Sequence, residues 1–212
     1  MMARPNMIRL TAAVAAAAAL LSVAPAVAAE PAPASIPAVT AADRVIGRAD
    51  APVTVVEYAS FTCSHCAAWT NDVMPAFKAR YIDTGQVRLV FRDLPTAPAQ
   101  VAATAAAISR CAAPGRFYDV ARSLMAGQAA AFAAGDARQW YMDAIAASGR
   151  SQAEVETCLS DPATGQALQH DIAAAQAAGV NSTPTFFVNG RRVEDHSIET
   201  LAAAIDPLIK GR

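Results

Sequence analysis

The chain has 212 residues, 54% of them hydrophobic, with 17 Lys and Arg against 18 Asp and Glu for a formal net charge of −1. Such a balance gives no positive field to attract nucleic acid or an anionic membrane surface, so neither is expected as a partner. The length suits one domain, or one domain with an insertion.

The first residues, MMARPNMIR, carry Arg4 and Arg9 and no acid, and LTAAVAAAAALLSVAPAVAA follows as an alanine-dominated apolar run. It closes on Ala26-Val27-Ala28, small residues at the spacing a signal peptidase reads. A positive start, a short apolar run and a small-residue exit define a secretory signal peptide. Residues 1–28 are therefore expected to be removed on export. A membrane anchor is the competing reading, since about 20 residues could span. Alanine is only weakly apolar, however, and Pro25 interrupts the end of the run. All four cysteines, Cys63, Cys66, Cys111 and Cys158, lie beyond this segment. An even count in an exported chain favours disulfides over metal. Four cysteines allow three pairings, and spacing alone does not choose among them.

Residues 29–42, AEPAPASIPAVTAA, are rich in Pro and Ala and read as a flexible leader. APVTVVEYASF then holds a β-branched run, Val53–Val56, bounded by Pro52, which predicts a buried strand. Directly after it comes TCSHC, and then AAWTNDVMPAFKARYI, with the pattern of a helix. Pro75 should kink that helix, because proline has no N–H to donate. TGQVRLVFRDLP predicts a turn and a strand over about Val87–Phe91. With the two strands parallel, this first part is a βαβ unit.

From Pro95 to Gly179 no strand-like run occurs, and five alanine-rich helical segments are separated by Gly115, Gly135, Gly149 and Pro162. TPTFFVNGRRVED then predicts a hairpin: a β run, the turn pair Asn189-Gly190, and a return over Arg191–Val193. SIETLAAAIDPLIK follows as an amphipathic helix with Ile198, Leu201, Ala202 and Ile205 on one stripe. The order is β-α-β, helical block, β-β-α.

The cysteine pair carries the chemistry. A cysteine at the first turn of a helix meets backbone N–H groups without intrahelical partners and the positive end of the dipole. Both favour thiolate over thiol, lowering the pKa from about 8.5 into the range of about 3.5–7.5. The two-residue spacer places Cys66 one turn further in and more buried. Cys63 is thus expected to attack and be attacked, and Cys66 to resolve the mixed disulfide. His65, between them, would add to thiolate stability if its ring is cationic or donates to Cys63. Zinc is disfavoured. A structural site wants four ligands in paired clusters, and neither Cys111, Cys158, His170 nor His196 has a partner at such a spacing. A pure staple is also disfavoured, since so short a loop removes little unfolded-state entropy.

VVEYASFTCSHC followed much later by GVNSTPTFFVNG resembles the DsbA-like thiol–disulfide oxidoreductases of the bacterial periplasm, within the thioredoxin superfamily. The resemblance covers roughly residues 43–210. It implies an α/β thioredoxin-like fold with an inserted helical domain: residues 43–95 plus 180–212 as the thioredoxin-like domain and 96–179 as the insertion. It further implies Cys63 as nucleophile, Cys66 as resolving cysteine and His65 as the residue that raises oxidising power. Thr183-Pro184 matches the family's dipeptide with a cis bond opposite the cysteines, where the Thr183 backbone would pair with a substrate strand. Glu57 matches an acid buried beneath the site in some members and would relay protons to Cys66; a solvated, edge-facing Glu57 is the alternative. There are two departures: Ser64-His65 stands where the best-known oxidases have Pro-His, and Thr183 where they usually have Val. The remaining cysteines, Cys111 and Cys158, are expected to join, as in some members, closing a loop of about 48 residues for about 4 kcal/mol; two buried free thiols are the alternative.

Trp69, Trp140, Phe117, Tyr118 and Tyr141 are expected in the core, and Lys78 in solvent rather than on Glu57. Phe61, Thr62 and Phe186 flank the motifs and are expected to line an apolar peptide groove. The resemblance implies a monomer that needs no cofactor or metal. It would donate disulfides to unfolded or partly folded exported proteins and be reoxidised by a DsbB-type membrane partner. A reductase or isomerase served by a DsbD-type donor is the alternative, and a thiol-based metal chaperone a more distant one.

Overall fold

The computed structural model describes Met1 and residues 36–210. The expected signal peptide and the first half of the leader lie outside the described residues. Five strands form one mixed sheet in the order β1-β3-β2-β4-β5: β1 (Arg44–Ile46), β2 (Val53–Ala59), β3 (Val87–Asp93), β4 (Thr185–Val188) and β5 (Arg191–Arg192). β2 is central, parallel to β3 and antiparallel to β4. The two long strands run past their predicted ends at Val56 and Phe91, because Tyr58, Ala59 and Asp93 are buried along with the apolar run. β1 was not expected. Three residues are too few for an alternation to show, and this strand exists by pairing with β3.

Strand alternation sorts the core. Val53 and Val55 of β2 face one side, where they meet Trp69, Phe77, Tyr81, Leu201 and Ile205. Val56 and Tyr58 face the other, against Ala175, Val180 and Phe187. A third apolar cluster, containing Phe61, Cys66, Phe91, Leu124 and Trp140, joins the end of the sheet to the helical region. Trp69 and Trp140 are buried, while Phe117, Tyr118 and Tyr141 pack against these clusters half-buried.

The helix after the cysteines is not regular. α1 (Ser64–Ala68) widens into a π-type turn over Trp69–Val73, returns as α2 (Met74–Phe77) and widens again over Lys78–Ile82. Pro75 sits in the first turn of α2, where its missing N–H costs least. The expected kink is thus absorbed by wide turns on either side.

The predicted helical segments form α3 (Ala99–Arg110), α4 (Phe117–Ala134), α5 (Arg138–Ala147), α6 (Gln152–Ser160) and α7 (Pro162–Ala177), all between β3 and β4. Cys111, just after α3, and Cys158, in α6, are joined by a disulfide. The hairpin turns at Asn189 and Gly190, with φ of 46° and 81°. Both are left-handed, as a two-residue turn of matching twist requires. α8 (Ile198–Lys210) closes the chain and buries Leu201 and Ile205 against the sheet.

The second half of the leader is not free. Ile36 and Val39 pack on the sheet. The Arg92 guanidinium donates to the carbonyls of Pro37 and Ala38 at 2.9 and 3.1 Å and pairs with Asp43 at 2.8 Å. Arg92 is buried, so it holds this segment because its charge has no solvent to turn to. A neighbouring buried carboxylate, Asp93, accepts from Arg44 at 2.7 Å and Arg110 at 2.9 Å, tying β1 and α3 to β3.

Candidate active site

Cys63 is the residue before the first turn of α1, with extended backbone (φ −84°, ψ 118°), and its N–H donates to the Ser60 carbonyl. A β strand must turn sharply here into a helix. Ser60 and Thr62 hold that turn: their hydroxyls lie 3.0 Å apart, and Thr62 Oγ1 donates to the Thr96 carbonyl at 3.1 Å. The Thr96 N–H returns a bond to Ser60 Oγ at 3.1 Å, fastening the loop to the exit of β3. The helix then starts with the Ala67 N–H on the Cys63 carbonyl.

The two sulfurs sit in opposite surroundings. Cys63 is partly exposed and Cys66 is buried. Cys63 is held down at a pKa of about 5. The Cys66 thiol beside it is the main cause; the Thr183 side chain and the N–H groups of Cys66 and His65 add to it, against the cost of partial burial. Cys66 is pushed far above the ordinary thiol range, first by burial and then by its role as donor to Cys63. One thiol is thus ionised at neutral pH and its neighbour is not.

Thr183 lies opposite, 120 residues away, with its carbonyl 3.3 Å from Cys63 Sγ, placed to accept from the thiol when Cys63 is protonated. The Thr183-Pro184 bond is cis, and so is Ala97-Pro98, which no sequence signal marked. Ser64 and His65 are exposed on the first turn. The His65 ring makes no hydrogen bond among the described residues, while its backbone N–H faces the Cys63 sulfur.

Glu57 is buried in β2, between Phe91 and Phe186 on the flanking strands. Its Oε1 has no hydrogen-bond partner among the described residues. Burial, and then the Cys63 charge, raise its pKa to about 8, so it holds its proton at neutral pH. Lys78 does not neutralise it and pairs with Asp83 instead. The solvated alternative for Glu57 is excluded by its 2% exposure.

Phe61, Thr62 and Phe186 do not line a groove. Phe61 stacks on Phe91 with ring centroids 5.3 Å apart, and Phe186 packs on Trp69 at 4.7 Å, both rings inside the core. The reason is alternation: Phe186 lies on the same face of the sheet as Glu57, under the helices. Ser60, Thr96 and Gln128 complete the surroundings, and sequence reasoning missed them. Gln128 of α4 is buried, and its amide donates to the carbonyls of Phe61 and Cys63. For Gln128 the available signal was a polar residue at the buried spacing of α4, four after Leu124.

A family model described as "Thioredoxin" matches residues 39–207. A chain from Rickettsia bellii, provisionally named protein-disulfide oxidoreductase, is 30% identical over 170 residues, 79% of this chain; the match spans 65% of that relative's length. Among solved structures, BdbD from Bacillus subtilis superposes with a TM-score of 0.71 at 20% identity, covering 84% of this chain and 98% of that one. Wolbachia pipientis α-DsbA1 gives 0.72 at 24%, covering 83% and 94%. The residue order, the mixed sheet and these likenesses agree: the chain belongs to the thioredoxin family and has the DsbA-like fold, with a helical region between β3 and β4.

Proposed function

We propose that the chain is an exported thiol–disulfide oxidoreductase that introduces disulfides into other exported proteins. The observation that carries this is the contrast between the sulfurs, a partly exposed Cys63 near 5 beside a buried Cys66 that stays protonated. A stable thiolate favours the reduced enzyme, and an enzyme that prefers to be reduced gives its disulfide away.

The exchange runs in two displacements. A substrate thiolate attacks Cys63 Sγ of the Cys63–Cys66 disulfide, forming a mixed disulfide and releasing Cys66 as a thiolate. Cys66 takes a proton, for which the buried, protonated Glu57 is the source in reach of its field. A second substrate thiolate then attacks the substrate sulfur of the mixed disulfide, and Cys63 leaves as a thiolate. Two electrons pass from the substrate dithiol to the enzyme. The substrate leaves oxidised; of the two protons its thiols give up, one restores Glu57 by way of solvent and the other stays in solvent. Thr183 offers its backbone to the incoming chain beside Cys63. Substrates are unfolded or partly folded proteins with cysteines, and a DsbB-type membrane partner restores the disulfide. Residues 43–95 and 180–212 act as the redox domain and 96–179 as an insertion stapled by Cys111–Cys158. The chain works as a monomer in the periplasm. Among the described residues no helix is long and apolar enough to cross a membrane, and the apolar N-terminal run has the signature of a cleaved signal.

The test is the redox equilibrium of Cys63–Cys66 with glutathione, beside oxidative refolding of a reduced substrate. A potential well above the glutathione pool with substrate oxidation is expected. A potential near that of thioredoxin, about −270 mV, would reverse the direction and make the chain a reductase.

A further inference from the structure

Two sets of contacts hold the loop before Cys63. One is local, the Ser60–Thr62–Thr96 hydroxyls. The other comes from the helical region, through Gln128 in the middle of α4, which is 3% exposed. Gln128 Nε2 lies 2.7 Å from the Phe61 carbonyl and 3.1 Å from the Cys63 carbonyl. A carboxamide nitrogen has two N–H groups, and here each meets a backbone oxygen of the redox loop. The Cys63 oxygen is also the one that accepts the first bond of α1, from the Ala67 N–H at 3.1 Å. Its second lone pair therefore goes to Gln128. The other buried positions around it on α4, Leu124 and Met125, are apolar. Packing alone would place another apolar side chain at 128, since a buried amide is costly unless paired.

We propose that Gln128 is a positioning residue for Cys63: its carboxamide pins the Phe61 and Cys63 carbonyls, so that α1 starts where its free N–H groups face the Cys63 sulfur. The helical region is then part of the redox centre, through a bond between residues 65 apart in sequence. The inference rests on reading Cys63 as the attacking thiol.

The test titrates the ultraviolet absorbance of the thiolate in the full reduced chain. Gln128→Met keeps the length and removes both donors; its midpoint is expected to rise by about one pH unit, with a roughly tenfold weaker oxidising equilibrium against glutathione. Gln128→Glu keeps the shape, and a carboxyl buried against two carbonyls holds its proton and donates to only one of them, so its midpoint is expected to rise by less than that of Gln128→Met. Trp140→Phe serves as the stability control. It removes the bond from Trp140 Nε1 of α5 to the Leu124 carbonyl of α4 (2.6 Å) and leaves every hydrogen bond to the redox loop in place. That variant should melt earlier with an unmoved midpoint. Unchanged midpoints in both Gln128 variants overturn the proposal, as does an equal rise in Trp140→Phe. Should Gln128→Met fail to fold, Gln128→Glu decides. If the native chain shows no acid-range midpoint that Cys63→Ser removes, the reading of Cys63 falls first; if it does and only the Gln128 variants are silent, the positioning role alone falls.

Discussion

The molecule carries the same side chain in two opposite settings. Cys63 and Cys66 stand three positions apart at a helix start, unbonded, one partly exposed and ionised, the other buried and protonated. Cys111 and Cys158 stand 47 apart, bonded to each other inside the helical region. Nothing intrinsic to cysteine separates the pairs. Free N–H groups, a polar neighbour and partial access make the first pair exchangeable. The second closes a long loop, and its Cys111 follows the C-terminal end of α3, the negative end of a helix dipole.

The largest expected effect tests the first pair. Cys63→Ser should abolish dithiol exchange and remove the thiolate titration near 5, while Cys66→Ser should accumulate mixed disulfides with substrate, seen as adducts on non-reducing gels. The pH sign follows from the lowered pKa. The Cys63 thiolate stabilises the reduced fold fully above its unfolded pKa, and that contribution is lost as pH falls through about 5. Retained exchange in Cys63→Ser would erase the distinction between the pairs.

Next in size is the second pair. Cys111→Ser with Cys158→Ser should cost about 4 kcal/mol by loop entropy, lowering Tm by about 8–16 °C. The Cys63 titration should stay in place. If it moves, the second pair is coupled to the first and the contrast drawn here is too sharp.

The smallest effect concerns the acid beneath the site. Glu57 has a folded pKa raised from 4.5 to about 8, so the folded chain binds the proton more tightly than the unfolded one between those values. Its contribution to stability is therefore lost as pH rises across that window. Glu57→Gln should leave Tm unchanged at pH 4, where both side chains are neutral and unpartnered, and raise stability at pH 8, where the unfolded acid gives up the proton that the fold holds. Exchange rates in Glu57→Gln should lose their pH dependence around neutrality; an unchanged profile would remove Glu57 from proton transfer to Cys66.

What could be read from the sequence was what is local and periodic. The β-branched runs of β2 and β3, the alanine-rich helices, the Asn189-Gly190 turn and the spacing of Cys63 and Cys66 each declare themselves within a dozen residues. β1 did not, since an edge strand of three residues exists only through its partner. Residues 36–42 read as a loose leader because the residue that binds Pro37 and Ala38, Arg92, lies 55 and 54 positions beyond them. Phe61 and Phe186 were placed at a surface because adjacency to a motif says nothing about which face of a sheet a ring takes. Gln128 gave only one sign, a polar residue at a buried spacing, because its partners are backbone carbonyls, which every residue has.

The contact between Cys63 and Thr183 has a consequence in time. A chain delivered N-terminus first presents its nucleophile 120 residues before the carbonyl that will face it. Until Gln128 and then Thr183 arrive, Cys63 has neither its held loop nor its opposite wall, and it is an ordinary thiol on an unfinished chain. Its chemistry is acquired late, when the last strand closes over a residue that came out early.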